Sequence, residues 1–303
     1  DWYRSDVETL IDAAITLNDG SVVYIRLPSA APASSWTRYQ ARLYLPNTAR
    51  NVTVLHGLSR AGYLGIDDVS FIERTPAAFS RALVSLTFDD SWLSDYSLAL
   101  PVLSQHSVPA THFVITDTIG APDRLDLTLL TELRDRGHEI ASHTVTHPDL
   151  TTLSANLLLT ELTASKQFLE TNGFGPVLNF ASPQGQYNPT VVDAIRTVYQ
   201  THRTVDAGYN ARDDFDPYRL RCQNIRNTTT AAEVASWAAR AATDRSWLIL
   251  TYHDVVSSGG SQYSTTTARL DEQLSALQNQ GLAIVTVRQA LSELVPQLQS
   301  GTP

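Results

Sequence analysis

From Ala82 onward, short apolar segments alternate with amphipathic ones, and this alternation constrains the fold more than any other feature of the sequence. The apolar segments have the length of strands and are 82–88, 111–116, 139–142, 178–181, 199–204, 247–252 and 282–287. Helical patterns lie between them, near 125–136, after Ser154 as an N-cap, and at 189–198, 230–242 and 268–280. Seven strand–helix repeats predict an α/β fold that forms a complete or distorted (β/α) barrel.

Residues 1–79 have a different pattern, which predicts a separate domain. Their strand-like segments are short, alternate with turn residues, and lie at 21–27, 39–45, 52–56 and 69–72. This pattern predicts a small antiparallel, sandwich-like all-β domain over 1–79. A short linker at 74–78 then leads to the second domain, which we expect over 80–303.

Two adjacent carboxylates, Asp89 and Asp90, follow directly on the apolar segment 82–88. Adjacent acids repel each other, and a strand does not need them in order to end. Neighbouring residues at a strand end point in different directions, so that one carboxylate can bind a metal while the other moves a proton. A pair of solvated turn residues is the alternative interpretation.

Two histidines, His143 and His147, follow the segment 139–142 in the run Ser-His-Thr-Val-Thr-His. A spacing of four places two imidazoles on one side of a turn or helix, and imidazole is a preferred ligand of zinc and its neighbours. With 8 histidines in the chain, such a spacing also arises by chance. In a barrel, however, these histidines and Asp90 fall at the same edge, where they would form a three-ligand site with open positions.

A third histidine, His253, follows the late apolar segment 247–252. It is a candidate general acid for a leaving amine, since imidazole can be protonated near neutral pH. The alternative is a histidine that is hydrogen-bonded at the start of a loop. Trp92, just after the two carboxylates, could stack on a sugar ring or pack within the protein.

Composition excludes several classes of protein. The net charge is −9 and no cluster of Lys and Arg is present, which argues against a nucleic-acid partner. The lone Cys222 excludes an internal disulfide framework and a Cys-rich metal site, and no apolar run has the length of a transmembrane span. The chain has no Met, so we expect that Asp1 follows a removed segment and that any export signal is gone. Low charge and abundant Ser and Thr favour a secreted, extracellular or cell-wall-associated protein.

The three motifs together resemble one family. In chain order, Thr-Phe-Asp-Asp, Ser-His-Thr-Xaa-Thr-His and Leu-Xaa-Xaa-His resemble the motifs of the polysaccharide deacetylase (NodB-homology) family of carbohydrate esterases, over about residues 80–290. Ala181-Ser-Pro-Gln-Gly stands where that family has Arg-Xaa-Pro-aromatic-Gly. Residues 62–71 are similar to the closing strands of carbohydrate-binding jelly rolls.

The resemblance implies a metal-dependent hydrolase and assigns its central residues. Asp89 would be the general base that activates the attacking water, and Asp90, His143 and His147 would hold one divalent ion. That ion would be zinc, with cobalt, nickel or manganese as alternatives. The resemblance makes His253 the general acid.

Two further residues receive roles by the same resemblance. Leu250 would line the pocket for the acetyl methyl group, and the backbone N–H of Gln184 would help to hold the oxyanion.

The chain departs from the family pattern at two motifs. Ala181 stands where the family has an Arg that pairs with the catalytic base, and Arg203 is a candidate substitute. The family's fourth motif usually carries Asp and Trp, but the nearest segment here supplies Asp206 and no Trp. Asp206 could therefore orient His253. A purely structural role is the alternative for both Arg203 and Asp206.

The expected reaction is hydrolysis of acetamides on N-acetylated sugars of a chitin-like or peptidoglycan-like polysaccharide, with release of acetate. An O-acetyl esterase that acts on acetyl xylan is the first alternative, since it would use the same residues. A catalytically inactive sugar-binding relative is the second. The first domain is expected either to bind carbohydrate or to serve as a scaffold, and the oligomeric state stays open.

Overall fold

The computed structural model describes residues 2–41, 43, 45, 49–71 and 78–299, without the side chain of residue 299. The chain divides into two compact units, residues 1–75 and 76–303. Of the predicted linker 74–78, only Ala78 lies within the described residues. Phe79 was predicted to end the first domain, but it is buried in the second unit, because its ring belongs to an apolar cluster with Leu83 and Trp247.

The first unit contains two three-stranded antiparallel sheets. Its strands are β1 (Trp2–Ser5), β2 (Thr9–Leu17), β3 (Val22–Ala30), β4 (Ala33–Arg38), β5 (Ala49–Leu58) and β6 (Leu64–Asp67). The strand order is β4-β1-β6 in one sheet and β3-β2-β5 in the other. Along β2, Ile11, Ala13 and Ile15 are buried and alternate with half-buried residues. Successive strand residues point to opposite faces, so this alternation turns one face of β2 towards the core.

Several strands of this unit were predicted wrongly. β1, β2 and β4 were not predicted, and β2 carries Asp and two adjacent Ala, which have low strand propensity. The described residues between 39 and 45 form no strand, and residues 42 and 44 lie outside the described part. Residues 69–71 likewise form no strand, and residue 72 is outside the described part.

Seven parallel strands form a closed barrel in the described part of the second unit. They are β7 (Leu83–Asp89), β8 (Thr111–Val114), β9 (Glu139–Ser142), β10 (Asn179–Ala181), β11 (Thr201–Ala207), β12 (Leu220–Asn224) and β13 (Trp247–Tyr252). Each strand pairs with the next in chain order. β13 then pairs with β7, with Trp247 opposite Leu83 and Tyr252 opposite Phe88. The predicted (β/α) barrel is confirmed.

Helices flank the barrel strands. They are α1 (Leu100–Gln105), α2 (Leu127–Asp135), α3 (Ala155–Leu169), α4 (Pro189–Val198), α5 (Ala231–Asp244), α6 (Thr267–Asn279) and α7 (Val287–Gln299). The hydroxyl of Ser154 caps α3 as predicted, and Thr230 with Glu233 forms a capping box on α5. Within the described residues no helix is both long enough and apolar enough to span a bilayer.

Two strand predictions in the second unit were wrong. β12 was not predicted, because its sequence Leu-Arg-Cys-Gln-Asn alternates buried with half-buried polar residues and resembles a loop. The segment 282–287 contains only the short β16 (Ala283–Ile284), which pairs with β7 outside the closed ring. α7 begins at Val287. The short strands β14 (Val255–Val256) and β15 (Thr265–Thr266) pair with each other after β13.

The barrel strands divide their side chains between two layers. On β13, Leu248, Leu250 and Tyr252 lie in the cluster that also contains residues of α5 and α6. Trp247 and Ile249 lie in a different cluster, as expected from alternation along a strand. All seven barrel strands run parallel, so their carboxyl ends meet at one edge of the barrel, and the predicted chemical residues lie there.

Candidate active site

The chain turns sharply at the end of β7. Asp89 is the last residue of the strand and is 3% exposed. Asp90 and Ser91 follow with φ of 75° and 59°, in the left-handed region that residues other than glycine seldom adopt. The hydroxyl of Ser91 accepts a hydrogen bond from the N–H of Ile115 at 2.9 Å and so ties this turn to β8. At this turn the two carboxylates have different neighbours, since Asp89 contacts Arg203 whereas Asp90 lies beside His143 and His147.

Asp90, His143 and His147 converge and form a set that we call the metal-ligand set. One potential ligand atom from each residue lies within 4.8 Å of the other two. Oδ1 of Asp90 is 3.6 Å from Nε2 of His143 and 3.3 Å from Nε2 of His147. Nδ1 of His143 donates to the carbonyl of Ala181 at 2.8 Å, which leaves the Nε2 lone pair free to bind a metal.

These residues fit a divalent metal ion. Two imidazoles and one carboxylate are a common donor set for zinc and related ions, and three protein ligands leave positions for water and substrate. Burial acts to raise the pKa of Asp90, but the imidazoles of His143 and His147 outweigh it and hold that pKa below its usual value. The carboxylate is thus in its ligating form.

The loop that carries His147 is held by an unpredicted residue. Glu161 on α3 accepts hydrogen bonds from the N–H groups of Val145 at 2.8 Å and Thr146 at 3.0 Å. Thr144 and His147 have left-handed φ values of 71° and 62°, so the loop is tightly wound. Nothing in the sequence marks Glu161, because it lies on a helix distant from the motif.

Asp89 is paired with Arg203. Nη2 of Arg203 lies 2.6 Å from Oδ1 of Asp89 and contacts the second carboxylate oxygen as well. Burial acts to lower the pKa of Arg203, whose side chain is 1% exposed, but the charge of Asp89 raises it above its usual value. Arg203 on β11 lies in register with Ala181 on β10. A guanidinium therefore reaches the predicted base from the strand next to the position where the family has its Arg.

His253 lies beside Asp89 but is not oriented by Asp206. Nε2 of His253 is 3.9 Å from Oδ2 of Asp89, and its buried Nδ1 meets no hydrogen-bond partner among the described residues. Asp206 instead accepts a hydrogen bond from the hydroxyl of Tyr187 at 2.5 Å. The hypothesis that Asp206 orients His253 is therefore wrong. Burial lowers the pKa of His253, and the charge of Asp89 partly opposes this effect.

The ring of Tyr263 lies beside His253, and sequence reasoning missed it. The two ring centroids are 5.3 Å apart, and Tyr263 is 39% exposed. Tyr263 lies in the loop between β14 and β15, where the sequence has no recognisable motif. It is an aromatic neighbour for His253 in a chain whose fourth motif lacks Trp.

Leu250 does not line the site. It is fully buried in the apolar cluster between the barrel and its outer helices. Strand residues point alternately to opposite faces, and Leu250 shares its face with Leu248 and Tyr252, which lie in the same cluster. Thr251, two residues before His253, faces the barrel interior instead, where its hydroxyl lies 3.1 Å from that of Thr87.

Gln184 and Trp92 complete the predicted set. Gln184 has a left-handed φ of 56°, and its N–H meets no acceptor among the described residues, as a free oxyanion donor requires.

Trp92 is half-buried, and the guanidinium of Arg124 lies 3.7 Å from its ring centroid. Arg124 also donates to the carbonyl of Asp90 at 2.6 Å, so that one face of Trp92 is already covered.

Comparisons with known proteins show which family and which relatives the chain is similar to. Residues 77–201 match the family described as polysaccharide deacetylase. The peptidoglycan-N-acetylglucosamine deacetylase PgdA of Listeria monocytogenes is 27% identical over 225 residues, which are 73% of this chain and 41% of that protein. A bifunctional xylanase/deacetylase of Pseudobutyrivibrio xylanivorans is 24% identical over 208 residues, 69% of this chain and 30% of that protein. The chain spans about half the length, or less, of the curated relatives that it matches.

A solved structure is also similar to a large part of this chain. The Xyl-CE4 domain of a multidomain xylanase from the hindgut metagenome of Trinervitermes trinervoides is 25% identical, with a TM-score of 0.52. The similarity covers 70% of this chain and 90% of that domain. On the evidence of the motifs, the barrel and these relatives, residues 77–201 of the chain belong to the polysaccharide deacetylase family.

Proposed function

We propose that this protein is a metal-dependent hydrolase that removes acetyl groups from N-acetylated sugars of a chitin-like or peptidoglycan-like polysaccharide and releases acetate. The observation that carries the proposal is the adjacency of two groups at one edge of the barrel. The metal-ligand set (Asp90, His143 and His147) can hold an ion, and the Asp89–Arg203 pair lies next to it. We propose zinc as that ion, with cobalt, nickel or manganese as alternatives.

The side chains suit the steps of acetamide hydrolysis. Asp89 is placed to take a proton from the attacking water, and Arg203 holds its carboxylate in one orientation. His253 would donate a proton to the leaving amine; burial lowers its pKa, which makes its protonated form a stronger acid. The free N–H of Gln184 would donate to the oxyanion. A bound divalent ion supplies Lewis-acid polarisation of the acetyl carbonyl.

An O-acetyl esterase is the second candidate, because two of the similar proteins carry the word xylanase in their names. We favour the amide substrate because a leaving amine needs a proton donor more than a leaving sugar hydroxyl does, and His253 can supply that proton. The similarity to a peptidoglycan deacetylase also supports it. The presence of the candidate base, the metal-ligand set and the candidate acid histidine argues against an inactive sugar-binding relative.

The test is acetate release from N-acetylated chitooligosaccharides, peptidoglycan fragments and acetyl xylan, each with and without EDTA. The proposal expects release from an N-acetylated substrate that stops with chelator and returns with added metal. Asp89→Asn serves as the control for contaminating hydrolases. Release from acetyl xylan alone would favour the esterase, and no release from any substrate would favour the inactive relative.

We further propose that the first unit binds carbohydrate, and that the protein works outside the cell or at the cell wall. Trp36 and Tyr63 are 43% and 45% exposed. The guanidinium of Arg4 lies 5.0 Å and 5.9 Å from their ring centroids and holds both rings in place. Exposed aromatic rings beside a hydrogen-bond donor suit a sugar ring. Trp36→Ala should lower retention on insoluble chitin or peptidoglycan; unchanged retention would leave this unit as a scaffold.

A further inference from the structure

Ser182 and His202 form a buried hydrogen-bonded pair. Oγ of Ser182 lies 2.7 Å from Nε2 of His202, and Nδ1 of His202 lies 3.0 Å from the carbonyl oxygen of Tyr218. A carbonyl only accepts, so Nδ1 carries the proton and Nε2 accepts the hydrogen bond from the Ser182 hydroxyl. Ser182 is 2% exposed and His202 is fully buried, and burial lowers the pKa of His202 to about 3. The ring is therefore neutral and the direction of the hydrogen bond is fixed.

This pair is not placed for nucleophilic catalysis, although many hydrolases use Ser and His together. Ala181 faces the barrel interior, where it clusters with Phe113 and Ala141. Ser182 comes next in the chain, and its side chain points to the other side of the barrel wall. The hydroxyl therefore has no route to a substrate at the metal-ligand set. What it can do is hold the backbone around it.

The backbone that Ser182 holds includes the candidate oxyanion donor. The N–H of Ser182 donates to the carbonyl of Arg203 at 3.4 Å, and its own carbonyl accepts from the N–H of Gly185 at 3.2 Å. Between these anchors the chain makes the turn 183–185, in which Gln184 and Gly185 have left-handed φ values of 56° and 69°. With His202, Ser182 is thus fixed at three points. The direction of the Gln184 N–H depends on this turn.

The same turn packs closely against β11. A Cβ added at Gly185 would lie 2.1 Å from Cγ2 of Val205, so only glycine allows this approach. β11 also carries His202 and Arg203, which are adjacent and point to opposite sides of the barrel wall. His202 holds Ser182 on the outer side, whereas Arg203 holds Asp89 on the inner side. One strand therefore sets the position of both the candidate base and the candidate oxyanion donor.

We propose that Ser182 and His202 are positioning residues for deacetylation, because their hydrogen bond aims the Gln184 N–H at the oxyanion. This inference rests on the proposed function. Removal of an oxyanion donor typically lowers kcat by about 10²–10³. Loss of the Ser182 hydroxyl should displace the donor without removing it, so we expect a fall in kcat of about ten- to a hundred-fold. KM should change less than about three-fold, since the donor acts mainly in the transition state.

The experiment compares Ser182→Ala with Ser182→Thr and Ser85→Ala in the full chain, loaded with metal. Ser182→Thr keeps a hydroxyl and should retain most of the turnover. Ser85 is the matched control, because it is also fully buried and its hydroxyl accepts a hydrogen bond from Nε1 of Trp247 at 3.0 Å. Amide hydrogen exchange across 182–186, read by mass spectrometry, should speed up in Ser182→Ala and not in Ser85→Ala.

The outcomes separate this inference from the proposed function. A wild-type protein without acetate release would defeat the proposed function itself. An active wild type with equal kcat in Ser182→Ala and Ser85→Ala would overturn only the positioning role, as would unchanged exchange across 182–186. If Ser182→Ala does not fold, His202→Gln and His202→Leu replace it, because only glutamine keeps an acceptor for the Ser182 hydroxyl. Higher kcat in His202→Gln supports the role, and equal kcat overturns it.

Discussion

The buried pair between Asp89 and Arg203 can be tested as a unit of stability, independently of any reaction. Asp89 and Arg203 have side chains only 4% and 1% exposed, and Nη2 of Arg203 contacts both carboxylate oxygens. Arg203→Leu would leave the carboxylate buried without its counter-charge. Breaking a buried pair in this way typically costs about 3–5 kcal/mol of unfolding free energy. At about 2–4 °C per kcal/mol for a unit of this size, Tm should fall by roughly 6–20 °C.

The assay is a double-mutant cycle in urea and thermal denaturation, carried out in EDTA so that metal does not contribute. The double variant Asp89→Asn/Arg203→Leu should lose less free energy of unfolding than the two single variants lose together. The difference should be about 1–3 kcal/mol, because the double variant leaves no unpaired charge buried. The control is Arg81→Leu, which breaks an exposed pair with Glu293 and should cost no more than about 1 kcal/mol. Strict additivity, or a loss in Arg203→Leu no larger than in Arg81→Leu, would refute the reasoning.

Three further predictions concern the base, the metal and pH. Asp89→Asn should lower kcat by about 10²–10⁴-fold, while elemental analysis should still find about one metal ion per chain. Loss of the ion in this variant would make Asp89 a metal ligand and Asp90 the candidate base. His147→Ala should lose both metal and activity, and full activity without metal would contradict the proposed centre. Burial lowers the pKa of His112 and His138 to about 3, so both rings take up a proton when the protein unfolds at pH 4–6. Burial raises the pKa of Asp95, which acts in the opposite direction. Each histidine should therefore reduce the free energy of unfolding as pH falls through that range, by about 1.4 kcal/mol per pH unit. Urea unfolding of wild type and His138→Gln measures the histidine contribution, and equal pH slopes in the two proteins would exclude it.

Features that depend on neighbouring residues in the chain could be predicted from the sequence. The barrel follows from the alternation of strand and helix patterns, and each of these patterns spans a short segment. Asp89, His143 and His253 could be recognised for the same reason, because each lies at or just after the end of an apolar segment. The prediction that they lie close together then needed only the rule that parallel strands end at one edge of a barrel.

Features that depend on register or on distant partners could not be predicted in the same way. Asp206 and Tyr187 are 19 residues apart, and no local pattern joins them. Glu161 reaches the His147 loop from a helix face that looks like an ordinary solvent-exposed position. Leu250 differs, because its place on the outer face of β13 follows from the alternation of that strand, which a motif does not encode.

The exchange of Ala181 and Arg203 shows how a site can keep a contact while its motif changes. The two residues are opposite each other on adjacent parallel strands, so their side chains occupy the same part of the barrel interior. Arg203 reaches Asp89 from β11, and a second guanidinium at position 181 would place two like charges in one buried space. The small residue at 181, in a cluster with Phe113 and Ala141, gives Arg203 its room. The absence of arginine from the third motif and the presence of a buried arginine on β11 are therefore linked. A motif defined along one strand shows the alanine at position 181 but not the arginine on the neighbouring strand.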